Sequence, residues 1–308
     1  MPSDYHRVLL IFLDGVGLAP KSSDNPFDVV ATPALDRLAG GRFTIESSGV
    51  GGASSLLAID ATLGVDGLPQ SATGQTALFS GKNAAHVLGH HATGLPGPTM
   101  RSILEQGNLF QWAVERELST TFANAYSPDY WSQLGAGRRR PSVTTFCLTQ
   151  AGIKPRGIEE LAAGKAVSWD LRRDHFGRYV ESVVPLVSAR EAGRHLANIA
   201  SSHRLTVYES FMTDLAGHKK PGFEAREVLA RIDGLFAGLD DALPTDVTMI
   251  VTSDHGNIEE SDHRRHTRNP VPLLVSGPLV SRFEGVVSIL DVTPRLLSCL
   301  ESTGCLGA

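Results

Sequence analysis

The sequence is short of cysteine, and this shortage excludes two kinds of site. Only three cysteines occur in 308 residues, at Cys147, Cys299 and Cys305, and no two of them form a CxxC pair. A disulfide framework or a thiolate zinc site is therefore not expected, and a reducing, cytoplasmic compartment is the default interpretation.

Excess positive charge and long apolar runs are also missing. Lys and Arg number 28 against 33 Asp and Glu, which gives a formal net charge of -5, whereas nucleic-acid binding usually needs a basic face. The apolar run from Val8 to Leu13 is too short to span a bilayer and ends on Asp14 without a cleavage-site pattern. We therefore expect a soluble globular protein with neither a nucleic-acid nor a membrane partner. An anionic substrate remains compatible with the net charge, because a bound metal ion supplies positive charge that the sequence count omits.

The most informative stretch runs from Asp246 to His266. Its first part, Val247 to Val251, is a short apolar segment typical of a buried strand, and Asp254 and His255 follow where that strand should end. A carboxylate beside an imidazole at a strand end suits a divalent metal, although a polar surface loop is the alternative explanation. Further candidate ligands follow at Asp262, His263 and His266.

Two other apolar segments also end on aspartate. Arg7 to Leu13 is followed by Asp14, and Thr206 to Met212 is followed by Asp214, with His218 four residues later. Carboxyl ends of parallel strands share one edge of a sheet, so the three aspartates should converge there. Carboxylates packed together repel unless cations offset their charge, so a two-metal site is the economical interpretation.

A hydroxyl-bearing turn lies at Ser71, Thr73 and Gly74, with a helix expected over Thr76 to Phe79. An exposed hydroxyl at a helix start suits a nucleophile that must meet an anion, but such loops are more often structural. The run Arg138, Arg139, Arg140 is open to two interpretations in the same way. It is either a solvated cluster or a clamp for an anionic substrate group.

The remaining pattern predicts an α/β fold with a doubly wound, mostly parallel sheet and helices on both faces. The predicted helices are Thr32-capped Pro33 to Leu38, Ser102 to Leu118, Ser188-capped Ala189 to Ala200, Ala225 to Leu239, and a closing helix capped by Asp291. Further strands are predicted at Thr121 to Ala125, Val143 to Leu148 and Val271 to Val275. We expect residues 1–125 and 186–308 to form the core, and residues 126–185 to form a small cap or insertion.

The segments DGVG, SATGQ, TDLAGH, SDHGN and HTRNPVP, in this order, resemble the metalloenzyme branch of the alkaline phosphatase superfamily. That branch includes cofactor-independent phosphoglycerate mutase and phosphopentomutase. The resemblance covers residues 7–125 and 188–300. It implies an alkaline phosphatase-like core, two divalent ions, usually Mn²⁺ or Zn²⁺, and a phosphorylated Ser or Thr intermediate.

By the same resemblance, Asp214, His218 and His266 would hold one ion, and Asp14, Asp254, His255 and Ser71 the other. Ser71 is the nucleophile by register, and Thr73 is a minor candidate. The sequence departs from the mutases at Gln75, where they commonly have histidine, and in the shorter segment between the nucleophile and the second ligand cluster.

The resemblance and its departures predict a phosphatase that hydrolyses a small phosphorylated metabolite through a phosphoserine. A phosphomutase is the alternative, while a phosphodiesterase, a sulfatase or a catalytically silent metal-binding module is less expected. The sequence leaves the oligomeric state open.

Overall fold

The computed structural model describes residues 6–176 and 184–301, and a single sheet runs through this part of the chain. Seven strands form the sheet in the order β2-β3-β7-β6-β1-β5-β4. The strands are β1 Arg7–Leu13, β2 Gly49–Gly51, β3 Ser54–Ile59, β4 Thr120–Phe122, β5 Leu205–Ser210, β6 Val247–Thr252 and β7 Val271–Ser276. Strands β6, β1, β5 and β4 are parallel, β7 is antiparallel to β6, and β3 is antiparallel to β7. The predicted α/β fold is thus confirmed.

The central strand β1 is covered on both faces, which explains its unbroken apolar sequence. Val8, Leu10 and Phe12 belong to one buried cluster. Leu9, Ile11 and Leu13 belong to another on the opposite face. Because neighbouring side chains of a strand point to opposite faces, helices must cover both sides.

The helices of residues 6–176 and 184–301 pack on these two faces. They are α1 Pro26–Val29, α2 Pro33–Ala39, α3 Ser71–Ser80, α4 Ala84–Leu88, α5 Pro98–Glu105, α6 Leu109–Glu115, α7 Pro128–Gly135, α8 Val143–Gln150, α9 Ile158–Ala162, α10 Ala189–Ala200, α11 Met212–Gly217, α12 Ala225–Ala242 and α13 Ile289–Glu301. Short 3₁₀ turns occur at Ile45–Ser47 and Val280–Phe283. None of the described helices is long and apolar enough to cross a membrane.

The prediction of a strand at Val143 to Leu148 is wrong, because this segment is helix α8. The Ser142 hydroxyl accepts a hydrogen bond from the Thr145 backbone N–H and caps the helix. Val143, Cys147 and Leu148 are buried in the first cluster. Capping and burial on one helical face override the strand preference of its β-branched residues.

The helix predicted from Ser102 to Leu118 is two helices, α5 and α6. Gly107, at a φ of 136°, separates them, and Asn108 caps the second through hydrogen bonds from the N–H groups of Phe110 and Gln111. The predicted strand Thr206 to Met212 ends earlier, at Ser210, because Met212 begins α11.

The structure also differs from the sequence prediction at the starts of two helices. Asp291 lies inside the first turn of α13 rather than before it, and accepts hydrogen bonds from the N–H groups of Val287 and Ser288. The Thr32 hydroxyl donates to the Asp36 carboxylate rather than accepting from the backbone of α2.

Residues 126–185, the predicted cap, hold α7, α8 and α9. A small buried cluster of Ala125, Leu161, Ala166, Phe176 and Val184 lies here. Helix α8 instead packs into the main core with α3, α5 and α6. The limits of a separate cap remain a prediction.

Candidate metal centre

Three strand ends bring the predicted aspartates to one edge of the sheet. Strands β6, β1 and β5 are neighbours and parallel. Asp14 follows β1 directly, Asp254 lies just after β6, and Asp214 lies in the first turn of α11, which follows β5. The convergence follows from parallel pairing of strands that are far apart in sequence.

The antiparallel strand β7 supplies the third histidine to the same edge. Because β7 runs opposite to β6, its beginning lies beside the end of β6. His266 precedes β7 and therefore lies at this edge. Strand β3 runs in the direction of β6, and the chain after it leads to Ser71, the first residue of α3.

Two glycines allow the close approach of these segments. An added Cβ on Gly74 would lie 2.7 Å from the Asp254 carbonyl oxygen. Gly15 has a φ of 71°, and an added Cβ would lie 2.9 Å from Asp214 Cβ. Helix α3 can therefore pack directly on the Asp254 backbone, which places Ser71 beside the cluster.

The first group of ligand-type side chains surrounds His255. Its Nε2 lies 3.2 Å from Asp14 Oδ1, 3.7 Å from Asp254 Oδ1 and 3.0 Å from Ser71 Oγ. Asp14 is 6% exposed, and Asp254 and His255 are fully buried. These three residues form a candidate metal-binding set, and the Ser71 hydroxyl points into it.

The second group surrounds Asp214. Its Oδ1 lies 3.3 Å from His218 Nε2 and 3.6 Å from His266 Nε2, and the two Nε2 atoms are 3.1 Å apart. The rings of His266 and His255 stack with centroids 3.7 Å apart. Asp214, His255 and His266 also form a candidate set, so the two groups are continuous.

The imidazoles are oriented as metal ligands would be. In each ring Nδ1 faces a backbone carbonyl oxygen, so a neutral ring would carry its proton on Nδ1 and direct the Nε2 lone pair into the cluster. The pairs are His218 with Arg264 at 2.8 Å, His266 with Pro69 at 2.8 Å, and His255 with Gly256 at 3.3 Å. Two Nε2 lone pairs facing each other cannot form a hydrogen bond. The buried Asp14 Oδ1 also lacks a well-aligned hydrogen bond within the described chain. A divalent cation fits this set of donors.

Burial and the mutual repulsion of the carboxylates shift the pKa values of the cluster in directions that favour a nearby positive charge. Burial raises the pKa of Asp14, and the Asp254 carboxylate raises it further. Burial alone would lower the pKa of His255, but the carboxylates of Asp254 and Asp14 raise it to about 10. Burial and the neighbouring His255 lower the pKa of His266 to about 4. Without a metal ion, the His255 proton offsets the carboxylates, and a divalent ion would displace that proton.

Side chains whose supporting role the sequence did not predict hold two of the ligand carboxylates in place. Gln75 donates from Nε2 to Asp254 Oδ2 at 3.0 Å, and Asn257 donates from Nδ2 to Asp214 Oδ1 at 2.8 Å. Glu259, 1% exposed, accepts from the N–H groups of Gly17 and Asn257. Gln75 thus fixes a ligand carboxylate at the position where the mutases commonly have histidine.

Asp262 and His263, two further candidate ligands in the sequence, lie apart from the candidate metal centre. His263 Nε2 lies 2.9 Å from Glu260 Oε2, and Asp262 is close to His263. The three form a partly exposed group of their own. The Thr73 hydroxyl is likewise occupied, because it donates to the Gln70 carbonyl at 3.1 Å and is buried.

The candidate ligands open onto a cavity of about 410 Å³, which we call the metal cavity. Asp14, Ser71, Asp214, His218 and His266 line one end of it. The other residues that line it include Tyr126, Tyr130, Arg139, Arg140, Glu209 and Phe211. The Arg139 guanidinium lies 4.5 Å from the Tyr130 ring centroid. Arg138 is exposed and does not belong to the lining.

A family model described as the Metalloenzyme superfamily matches residues 6–300. The chain belongs to the Metalloenzyme superfamily. The resemblance seen in the motifs is thereby confirmed, and the converging carboxylates and imidazoles are the candidate metal centre of a member of this superfamily.

The curated relatives are 2,3-bisphosphoglycerate-independent phosphoglycerate mutases. One from Cereibacter sphaeroides is 32% identical over 130 residues, which is 38% of this chain and 25% of the relative. One from Desulforudis audaxviator is 27% identical over 198 residues, which is 60% of this chain and 36% of the relative. The chain therefore aligns with about a quarter to a third of the length of these relatives.

Solved structures share the fold over nearly the whole chain at low identity. The PH0037 protein from Pyrococcus horikoshii has a TM-score of 0.58 at 13% identity, with 99% of this chain and 100% of that chain covered. Alkaline phosphatase from the Antarctic bacterium TAB5 has a TM-score of 0.52 at 11% identity, with 96% and 98% covered. Phosphoglycerate mutase from Leishmania mexicana has a TM-score of 0.50 at 12% identity, with 98% and 96% covered. The fold is alkaline phosphatase-like.

Proposed function

We propose that this member of the Metalloenzyme superfamily is a two-metal phosphoryl-transfer enzyme that uses Ser71 as its nucleophile on a small phosphorylated metabolite. The observation that carries the proposal is the position of Ser71. Its Oγ lies 3.0 Å from His255 Nε2 within the candidate metal centre, and the residue lines the metal cavity. A hydroxyl with no function in the chemistry would have no physical reason to lie among buried ligands.

The chain supplies the nucleophile and its surroundings. Ser71 is the first residue of α3, so the positive end of that helix faces an incoming phosphoryl group. Asp14, Asp214, Asp254 and the three histidines would hold two divalent ions, Mn²⁺ or Zn²⁺. Bound there, these ions would lower the pKa of the Ser71 hydroxyl and offset the negative charge of the phosphoryl oxygens.

The reaction divides into two displacements. The Ser71 hydroxyl loses its proton to solvent and its oxygen forms a bond to phosphorus, while the bond from phosphorus to the ester oxygen of the substrate breaks and that oxygen takes up a proton from solvent. A second acceptor then takes the phosphoryl group from Ser71 and restores the hydroxyl. The nature of that acceptor distinguishes the two forms of the proposal.

If water is the acceptor, the protein is a phosphatase. The short segment between Ser71 and Asp214 supports this form, because little chain is left to retain an alcohol during the lifetime of a phosphoserine. If another hydroxyl of the same metabolite is the acceptor, the protein is a phosphomutase. The curated relatives, all named as phosphoglycerate mutases, support this second form better than they support the first.

Phosphoenzyme trapping tests the shared step. Protein loaded with Mn²⁺ or with Zn²⁺ is mixed with 4-nitrophenyl phosphate, quenched in acid, digested and examined by mass spectrometry. We expect one phosphoryl group on the peptide that contains Ser71. Turnover with no phosphorylated peptide, and undiminished turnover by Ser71→Ala, would together replace the proposal with direct attack by water.

Product analysis separates the two forms. With 3-phosphoglycerate and a panel of sugar phosphates, a mutase yields a positional isomer of the substrate, whereas a phosphatase yields inorganic phosphate. In ¹⁸O-labelled water, only the phosphatase places the label in phosphate. A cytoplasmic location remains part of the prediction.

A further inference from the structure

A second cavity, of about 490 Å³, adjoins the metal cavity. We call it the aromatic cavity, because six of the residues that line it carry rings. They are Tyr126, Tyr130, Trp169, His175, Phe176 and Phe211. Five of the six are Phe, Tyr or Trp, which together make up only 6% of the sequence, so this concentration is unusual for the chain.

Five of these six rings contact one another, in two groups. Tyr126 and Tyr130 have centroids 4.6 Å apart. Trp169 lies 5.3 Å from His175 and 6.3 Å from Phe211. Rings held by their neighbours keep their orientation, so a ligand would meet a preformed surface and need to order few side chains.

The two cavities are joined. Tyr126, Tyr130, Arg139, Glu209 and Phe211 line both of them. A single ligand can therefore place its phosphoryl group at Ser71 and extend its alcohol part past these shared residues into the aromatic cavity.

Glu209 is the buried carboxyl group at this junction. It lies at the end of β5 and is 2% exposed. Asn124 holds its backbone in both directions, accepting from its N–H at 2.9 Å and donating to its carbonyl at 2.8 Å. The Thr144 hydroxyl donates to Glu209 Oε2 at 2.5 Å, while Oε1 makes no hydrogen bond with any residue of the ranges 6–176 and 184–301. Because Glu209 lines both cavities, a ligand there can donate a hydrogen bond to this oxygen.

A carboxylate in direct contact with Glu209 would be repelled. A second anionic group would instead be attracted to Arg139, which lines both cavities, or to Arg140, which lines the metal cavity. Rings stack on aromatic side chains, and a ring N–H or O–H can donate to a carboxyl oxygen. The lining therefore matches a planar, uncharged ring that carries a donor.

We infer that the aromatic cavity binds a planar ring carried by the alcohol part of the phosphate ester, and that Glu209 Oε1 accepts a hydrogen bond from that ring. The inference rests on the proposed function, since the phosphoryl group must lie at Ser71. It assigns the substrate class as phosphate monoesters of ring-bearing alcohols, of which nucleoside monophosphates are the simplest representatives.

The test compares two esters that share the phosphate and the sugar and differ in the ring. Metal-loaded Ser71→Ala protein, which cannot turn over, is titrated with adenosine 5′-monophosphate and with ribose 5-phosphate by calorimetry. We expect the nucleotide to bind about tenfold or more tightly, the size of one base-to-aromatic stacking contact. Equal affinities would overturn the inference.

Replacing one aromatic side chain by leucine locates the contact. In the same protein, Trp169→Leu should remove most of the difference between the two esters and leave the affinity for ribose 5-phosphate unchanged. Trp112→Leu is the matched control, because Trp112 is also partly buried but packs against the main core, away from both cavities. If Trp169→Leu weakens ribose 5-phosphate binding as well, Tyr130→Leu replaces it. Retention of the full difference in the variant that still binds ribose 5-phosphate would overturn the inference.

A second pair of esters separates stacking from the hydrogen bond. Benzyl phosphate should bind more tightly than propyl phosphate but less tightly than the nucleotide, because its ring stacks and has no donor for Glu209. Benzyl phosphate binding as tightly as the nucleotide would contradict the role of Glu209. Failure of the proposed function would appear separately, as absence of phosphoryl transfer from 4-nitrophenyl phosphate while the ring-dependent affinity remains.

Discussion

The two ends of the metal cavity differ in secondary structure and in exposure to solvent. At the sheet end, Asp14 lines the cavity directly after β1, and Asp254 and His255 lie beside it just after β6. All three are almost inaccessible to solvent. At the opposite end, Arg139 and Arg140 follow helix α7 and are exposed. Side chains at strand ends inherit the rigidity of the sheet, whereas exposed residues after a short helix do not. The difference teaches that the sheet fixes the positions of the candidate ligands, and we predict that the segment after α7 contributes to the choice of substrate.

The largest effect is expected at the sheet end. Ser71→Ala should lower kcat by about three orders of magnitude or more, because the covalent step disappears. Metal binding and the melting temperature should change little, since Ser71 is only half-buried. Steady-state assays with 4-nitrophenyl phosphate and a metal titration provide the measurement.

The matched control is Thr73→Ser, which keeps a hydroxyl at a position where it serves the helix start. Its turnover should match the wild type. Activity that persists in Ser71→Ala and disappears when Thr73→Val is added would assign the nucleophile to Thr73.

A smaller effect is expected at the junction of the two cavities. Burial raises the pKa of Glu209 from 4.5 to about 7, with Asp254 adding to the shift and Thr144 opposing it. A carboxyl whose pKa is raised in the folded protein contributes stability below the unfolded pKa, and that contribution is lost as the pH rises through about 7.

The substitution Glu209→Gln keeps the shape of the side chain and removes its ionisation. As the pH rises from 4 to 8, the free energy of unfolding of the variant should increase by about 3 kcal/mol relative to that of the wild type. Urea unfolding of both proteins at a series of pH values, at constant metal concentration, measures the gain. A difference that does not vary with pH would place Glu209 in a solvated environment.

The smallest effect is expected at the exposed end. The double variant Arg139→Ala, Arg140→Ala should raise KM about tenfold for an ester with a second anionic group, such as 3-phosphoglycerate, and leave kcat nearly unchanged. Hydrolysis of 4-nitrophenyl phosphate should be unaffected, because that ester has no second anion.

Arg138→Ala is the control for this variant, since Arg138 does not line the metal cavity. Equal losses on both esters would show that the arginines act on the transferred group itself. No loss on either ester would show that Arg139 and Arg140 are solvated side chains that do not bind the substrate.

The two ends also differ in how far the sequence predicts them. Strand β1 could be predicted because both of its faces are buried, which produces an uninterrupted apolar run, and an aspartate at its end then indicates a site. The convergence of Asp14, Asp214 and Asp254 follows from parallel pairing alone. These are rules about strands and need no knowledge of distant side chains.

The parts that escaped prediction depend on contacts between distant residues. Gln75 reaches Asp254, 179 positions away, and Thr144 reaches Glu209, 65 positions away. No local pattern indicates such pairs. The β-branched residues of α8 favour a strand in the sequence prediction, whereas Ser142 before them is a capping signal that identifies the helix.

The most direct test of the proposed chemistry is the metal content of the purified protein. Wild-type protein dialysed against micromolar Mn²⁺ or Zn²⁺ should retain about two equivalents per chain, as a two-metal site requires. Asp254→Asn and His218→Ala should each lose about one equivalent, because they lie in different halves of the centre. Retention of two equivalents in either variant would show that the substituted residue is not an essential ligand. A content near zero in the wild-type protein would contradict the two-metal centre itself.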